Sequence, residues 1–333
     1  MRNLALAATI AFGVQFGALA TDAPPALARL LQPQAHPPVI TEFTFRGGAL
    51  ECIASGPDGN LWVTDDYDQD SGEQSAVLRV TTHGKQTGKF YYRPIYVFPS
   101  GGDITAGPDG NLWISDDYDN QLIRMTPEGA FKLISAPSPY AVTRGLDGNV
   151  WFASLSSPNT VGYVTPGGRV TTYSNGISGG PLDITAGPDG AFWFTEYKGK
   201  IGRITTGGVV TEYSMGISQG AHPTSIVTGP DGNLWFTEQN TGSIGRITPA
   251  GVATEFHSGI TGDPYDIAAG RGEDLWFTEF AAGQIGRITI KGRVSEYSQG
   301  MKPHSQPTCI IKGPDDNMWF IENRTNNVVR IAL

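Results

Sequence analysis

The sequence predicts an all-β protein: a seven-bladed β-propeller of four-stranded antiparallel blades, with an N-terminal strand closing the last blade. Three observations carry that prediction. Trp62, Trp113, Trp151, Trp193, Trp235, Trp276 and Trp319 all stand at one place in a repeated phrase, whose fullest copy, Gly229 to Glu238, reads Gly-Pro-Asp-Gly-Asn-Leu-Trp-Phe-Thr-Glu. Successive tryptophans are 51, 38, 42, 42, 41 and 43 residues apart, and short β-forming runs at such a period mark propeller blades. The third observation joins the ends of the chain. The last copy stops after its third strand, Val328 to Ala332, while Ile40-Thr41-Glu42-Phe43 repeats Val210-Thr211-Glu212-Tyr213. The front of the chain therefore supplies the missing strand, placing Glu42 opposite Arg330 and leaving no free sheet edge.

In chain order, residues 1–20 read as a secretory signal. Arg2 gives a short basic start, Leu4 to Phe16 is largely apolar, and Ala18-Leu19-Ala20 forms a small-residue cleavage site before Thr21. The apolar run falls short of the ~20 residues of a membrane span. Residues 21–38, rich in Ala and Pro, read as a tether, and residues 39–333 as the propeller. The expected location is secreted or periplasmic, with no membrane attachment after signal removal. The net charge of −9 excludes the basic patches that nucleic acids and anionic membranes require. A monomer is expected, since a closed ring leaves no open edge.

Residues 224 to 256 serve as the template blade. Thr224 to Thr228 is a strand, and Gly229-Pro230-Asp231-Gly232 a turn in which Pro presets φ and Gly takes the left-handed position. Asn233 to Glu238 is a second strand and Gln239 to Ser243 a loop. Ile244 to Thr248 and Val252 to Phe256 form a hairpin about Pro249-Ala250-Gly251. The tryptophan must pack on the neighbouring blade, because one sheet cannot bury both its faces. The hairpin pattern also predicts cross-strand ion pairs Arg203–Glu212, Arg246–Glu255 and Arg287–Glu296. The only cysteines, Cys52 and Cys309, share one repeat position in blades one and seven. They are either a disulfide across the closure or two small buried thiols.

The phrases Asp183-Ile184-Thr185-Ala186-Gly187, Trp193-Phe194-Thr195-Glu196 and Ile201-Gly202-Arg203-Ile204-Thr205 resemble the streptogramin B lyase (virginiamycin B lyase) family over residues 40 to 333. The resemblance implies a seven-bladed propeller. It also implies ring opening of a cyclic depsipeptide by metal-assisted β-elimination, with Mg²⁺ and a proton-abstracting histidine at the top of the central funnel. In that pattern the histidine directly follows a proline at the start of an inner strand, and a glutamate fourteen positions later ends the Trp-Phe-Thr-Glu strand. The matching glutamates are Glu196, Glu238, Glu279 and Glu322, with Asp65 and Asp116 in the first two blades. The histidine positions instead hold Glu51, Gly102, Tyr140, Leu182, Thr224, Tyr265 and Thr308. The nearest histidines are His222 and His304, in the loops leading into blades five and seven.

Strand topology assigns the start of each inner strand and the end of each second strand to one face, so these carboxylates, Tyr140, Tyr265, His222 and His304 are expected around one rim. As functional groups, His222 and His304 would be bases, Tyr140 and Tyr265 donors, and Glu196, Glu238, Glu279 and Glu322 ligands for Mg²⁺ or Ca²⁺. As structural groups, the glutamates would bond backbone amides and the histidines would be solvated. Asp103, Asp183 and Asp266 open inner strands and read as local hydrogen-bond formers. Asp66, Asp68 and Asp70 resemble the start of a calcium loop, but the glycine and glutamate that complete one are missing. Two functions fit: a propeller binding a small ligand, cation or protein partner, or a Mg²⁺-dependent carbon–oxygen lyase or related ester- or lactone-acting enzyme.

Overall fold

The computed structural model describes residues 37–46, 48–66, 75–91, 102–155 and 158–333. The expected signal and nearly all of the tether, together with Asp68 and Asp70, lie outside the described residues. The chain from residue 39 onward forms seven four-stranded antiparallel sheets. Blades one to six occupy 49–91, 104–135, 139–173, 181–213, 223–256 and 264–297. Blade seven takes Pro307–Lys312, Met318–Glu322 and Asn327–Ala332 from the chain end and Val39–Thr44 from its start. The start of the chain thus closes the ring, as the repeat predicts.

Every tryptophan is 3% exposed or less and packs on the next blade. Trp235 of blade five, for example, lies among Ile267, Leu275, Phe277 and Ile288 of blade six. Trp319 of blade seven lies among Leu50, Leu61, Val63 and Leu78 of blade one. The core is therefore seven hydrophobic seams rather than one central mass.

Local chemistry explains the repeated phrase. Asp231 Oδ1 accepts the Trp235 indole N–H at 3.0 Å, and Asp231 Oδ2 accepts Asn233 Nδ2 at 2.7 Å. Arg246 stacks over the Trp235 ring at 5.4 Å and pairs with the same aspartate at 3.9 Å. Gly229 and Gly245 are glycines for steric reasons: a Cβ on Gly229 would meet Trp235 at 2.4 Å, and one on Gly245 would meet the Phe236 ring at 2.1 Å.

The register corrects the expected ion pairs. Arg203 lies opposite Thr211, and Glu212 opposite Gly202; Thr41, not Glu42, faces Arg330. Arginine and glutamate therefore point to opposite faces. Arg203 pairs with Asp189 at 2.7 Å and Arg287 with Asp274 at 2.6 Å. The outer-strand glutamates instead hold the loop leading into their own blade. Glu212 accepts Ser178 N, Glu255 accepts Ser218 N, Glu296 accepts Thr261 N and Glu42 accepts Lys302 N.

Candidate functional site: the central channel

A β-bulge opens six of the seven inner strands, as between Pro223 and Ile226. It turns two successive residues toward the ring axis. The first of each pair is the position where the resemblance expects histidine; the second stands ten residues before each tryptophan. Both tiers line a cavity of about 390 Å³. The first tier contributes Glu51, Tyr140, Thr224, Tyr265 and Thr308 as its polar members, and the rim adds Tyr197, His222 and Gln239.

The second tier is Cys52, Asp103, Ala141, Asp183, Ser225, Asp266 and Cys309. Aspartates fill blades two, four and six, and each clips its blade to the next. Asp103 accepts Ile104 N and Val142 N, both at 2.8 Å. Asp183 accepts Ile184 N at 2.7 Å and Ile226 N at 2.8 Å. Asp266 accepts Ile267 N at 2.8 Å and Ile310 N at 2.6 Å. The hydrogen-bonding role expected for these aspartates is thus present, and it extends across the blade seams. At the seam between blades seven and one, Cys309 is bonded to Cys52, with Cα atoms 5.0 Å apart.

The clipped carboxyls hold protons near neutrality. Burial, opposed by the backbone bonds, pushes Asp103 to about 7 and Asp266 to about 6. Burial and the charges of its two neighbours push Asp183 to about 8. Burial likewise lifts Glu51 to about 7, against its bond from Asn323. Among the described residues, no lysine or arginine lines the cavity. Burial lowers His222, leaving a neutral imidazole whose two ring nitrogens have no hydrogen-bond partner, and its ring meets Tyr197 edge-on at 4.0 Å. Tyr265 and Tyr140 are hydrogen-bonded to each other, and burial raises both phenols, so they act as neutral groups rather than bases.

The expected single rim does not form. His304 is exposed and stands off the cavity. Glu196, Glu238, Glu279 and Glu322 are fully buried inside their own blades and do not reach the cavity. Desolvation explains this: a carboxylate ending a second strand is covered by its own sheet and must find hydrogen-bonding partners there. Burial and the facing Glu212 raise Glu196 to about 8; burial and Glu255 raise Glu238 to about 8. Burial, with Glu296 adding, raises Glu279 to about 7. Glu279 accepts Gly262 N at 3.2 Å and a bond from Gln284, while Glu322 accepts Thr325 Oγ1 at 2.6 Å and Asn327 Nδ2 at 2.7 Å. Enclosed carboxyls of this kind do not fit a hard cation that must meet a substrate.

Asp65 pairs with Lys89 Nζ at 3.1 Å, and Asp116 accepts Asp119 N and Gln121 Nε2. Asp66 is buried and accepts Ser75 Oγ at 3.3 Å, and the remainder of the expected calcium loop, Asp68 and Asp70, lies outside the described residues. The second-tier alternation was missed as a site feature. Its signal was present in the sequence: one column, ten residues before each tryptophan, reading Cys, Asp, Ala, Asp, Ser, Asp, Cys.

Comparison with known proteins agrees with this architecture. A solved streptogramin B lyase shares 29% identity over 89% of this chain and 98% of its own, with a TM-score of 0.78. The virginiamycin B lyase of Staphylococcus aureus shares 30% over 89% and 99%, with a TM-score of 0.79. A catalytically inactive histidine-to-alanine variant of that enzyme, solved with quinupristin, aligns equally well. A virginiamycin B lyase from Nocardia farcinica is 32% identical over 165 residues, 49% of this chain and about half (53%) of that relative. The Virginiamycin B lyase family model matches residues 36–174 and 175–333, and the chain belongs to that family.

Proposed function

We propose that this protein binds a metabolite-sized molecule carrying a cation or several hydrogen-bond donors in its central channel, and does not open streptogramin rings. The observation that carries this reading is the cavity wall. Glu51, Asp103, Asp183 and Asp266 face it, with no lysine or arginine among the described lining residues. Carboxyls poised near neutrality release their protons when a cation comes close, because an opposite charge favours the ionised form. The neutral His222 adds an acceptor and a donor that the protein leaves unused. A volume of about 390 Å³ sits at the small end of the ~300–1,000 Å³ usual for ligand sites, which favours a metabolite over a whole depsipeptide. A Mg²⁺-assisted elimination would need carboxylates that meet the substrate, and here the glutamates at those positions are buried and do not line the cavity.

The test uses the full chain in two assays. In the first, tyramine, choline and putrescine are titrated calorimetrically against benzoate as the anionic control. At least one amine is expected to bind saturably, at least about tenfold more weakly in Glu51→Gln or His222→Ala, with benzoate inert. Benzoate binding while all the amines fail would sink the reading. In the second, quinupristin is incubated with and without Mg²⁺. Elimination leaves the mass unchanged, so ring opening is read from chromatographic retention and fragmentation. Ring opening would establish the lyase alternative.

A further inference from the structure

We propose that Cys52, Cys309 and Asp103 form a zinc-type metal site on the channel wall, masked while the two sulfurs are bonded to each other and exposed when a dithiol reductant opens that bond. One donor atom from each of these residues lies within 4.8 Å of the others. All three residues line the same cavity. Asp103 Oδ1 stands 3.3 Å from Cys52 Sγ, and its carboxyl is fixed in place because Oδ2 accepts Val142 N at 2.8 Å. Such an outer partner orients a metal-binding carboxylate.

The chemistry balances. A dithiol gives up two electrons and two protons and becomes a disulfide, and Cys52 and Cys309 become thiols. A divalent ion then displaces one proton from each thiol, together with any proton held by Asp103, and binds two thiolates and the Asp103 carboxylate. Two metal–sulfur bonds of about 2.3 Å at the tetrahedral angle place the sulfurs about 3.8 Å apart. Cα atoms 5.0 Å apart reach that separation by side-chain rotation alone. Thiolates select Zn²⁺ over Mg²⁺ or Ca²⁺. Three protein ligands with the channel on the open side leave the fourth position to water or a channel ligand, the arrangement of a reactive rather than a structural zinc.

The ring supplies this site through its repeat. Three blade seams carry aspartate clips, and the seam between blades seven and one carries the cysteine pair beside the first of those clips. This inference does not depend on what the channel binds.

The full chain is reduced with dithiothreitol, desalted without oxygen and titrated with Co²⁺. The expected result is a thiolate-to-cobalt charge-transfer band that saturates at one ion per chain and disappears on adding Zn²⁺. The oxidised chain should show no band, Cys309→Ser should lose it, and Asp103→Asn should bind at least about tenfold more weakly. No band in the reduced chain, or a band that persists in Cys309→Ser, overturns the proposal. So does loss of native circular dichroism on reduction alone, because the site exists only on the folded wall. Amine binding in the oxidised chain tests the channel reading separately, so either proposal can fail alone.

Discussion

Replacing Glu238 by Gln should make the protein more stable at alkaline pH while leaving it nearly unchanged at mildly acidic pH. Glu238 is fully buried, accepts Thr241 Oγ1 at 3.0 Å and faces Glu255. Burial first, then the hydrogen bond to Glu255 and that residue's charge, raise it from 4.5 to about 8. The folded protein therefore binds this proton more tightly than the unfolded chain does. Stability is highest below the unfolded value and falls as pH rises from ~4.5 to ~8. At 1.36 kcal/mol per pKa unit, ionising Glu238 in place costs up to about 5 kcal/mol. Glu255 is lowered, held by Ser218 and Glu238; its contribution is present above its unfolded value and is lost only in acid, so it does not oppose the trend above pH 6. Proton sharing within the pair and local relaxation reduce the net cost to roughly 2–4 kcal/mol. Glutamine keeps an oxygen for Thr241 and a donor for Glu255 without titrating. Denaturant unfolding followed by tryptophan fluorescence should find Glu238→Gln within about 1 kcal/mol of the parent at pH 5 and about 2–4 kcal/mol more stable at pH 9. An equal loss of stability at both pH values would refute the argument, because it would mean that Glu238 is ionised and hydrogen-bonded throughout.

Three further outcomes follow from the packing. Trp235→Phe abandons the bond to Asp231 and should cost about 1–3 kcal/mol more than Trp276→Phe, whose buried indole N–H has no partner to lose; equal losses in thermal denaturation would contradict the role given to the turn aspartate. Gly245→Ala forces a Cβ into the Phe236 ring at 2.1 Å and should cost about 1–3 kcal/mol, whereas Gly59→Ala meets nothing within 4 Å and should cost less, through its φ of +75° alone. Removing residues 1–44 uncovers the edge of Asn327–Ala332 and should produce concentration-dependent aggregates in light scattering that the full chain does not show; scattering identical to the full chain's would show that the seventh blade does not need its borrowed strand.

The architecture was legible because its signals are local or periodic. A glycine under an aromatic ring, a turn aspartate four residues before a tryptophan and a strand phrase displaced to the other end can all be read letter by letter. The register of Glu212 was not. One residue of slip decides whether it meets Arg203 or the amide of Ser178, and charge complementarity pointed to the wrong partner. The glutamates of the Trp-Phe-Thr-Glu strand misled for a related reason. Repetition identified them as important, but sequence alone does not say which side of a second strand the sheet covers. His222 and His304 looked equivalent in the chain, yet only His222 lies in a loop whose position after folding brings it to the cavity.

The channel explains how one fold can carry different chemistry among relatives. Seven inner strands, six of them opened by a bulge, deliver two tiers of side chains to one axis, and the seams behind them are filled by the repeated tryptophans whatever those tiers contain. The tiers are therefore free to vary at little cost to the fold, provided each buried polar group finds a partner. Here the second tier spends most of its polar atoms on holding blades together: Asp103, Asp183 and Asp266 each give both carboxylate oxygens to backbone amides. The first tier keeps Glu51, Tyr140 and Tyr265 where the resemblance expects histidine. A base built on that tier would have to be Glu51, raised to about 7 by burial, because Tyr140 and Tyr265 are held protonated. Glu51 lies close to Asn323, which donates to its Oε1 at 3.2 Å. Asn323→Ala should therefore raise the Glu51 pKa further and, if the channel prefers cations, weaken amine binding most at pH 6 and least at pH 9. A loss of binding independent of pH would mean that Asn323 shapes the cavity rather than tuning the charge of Glu51.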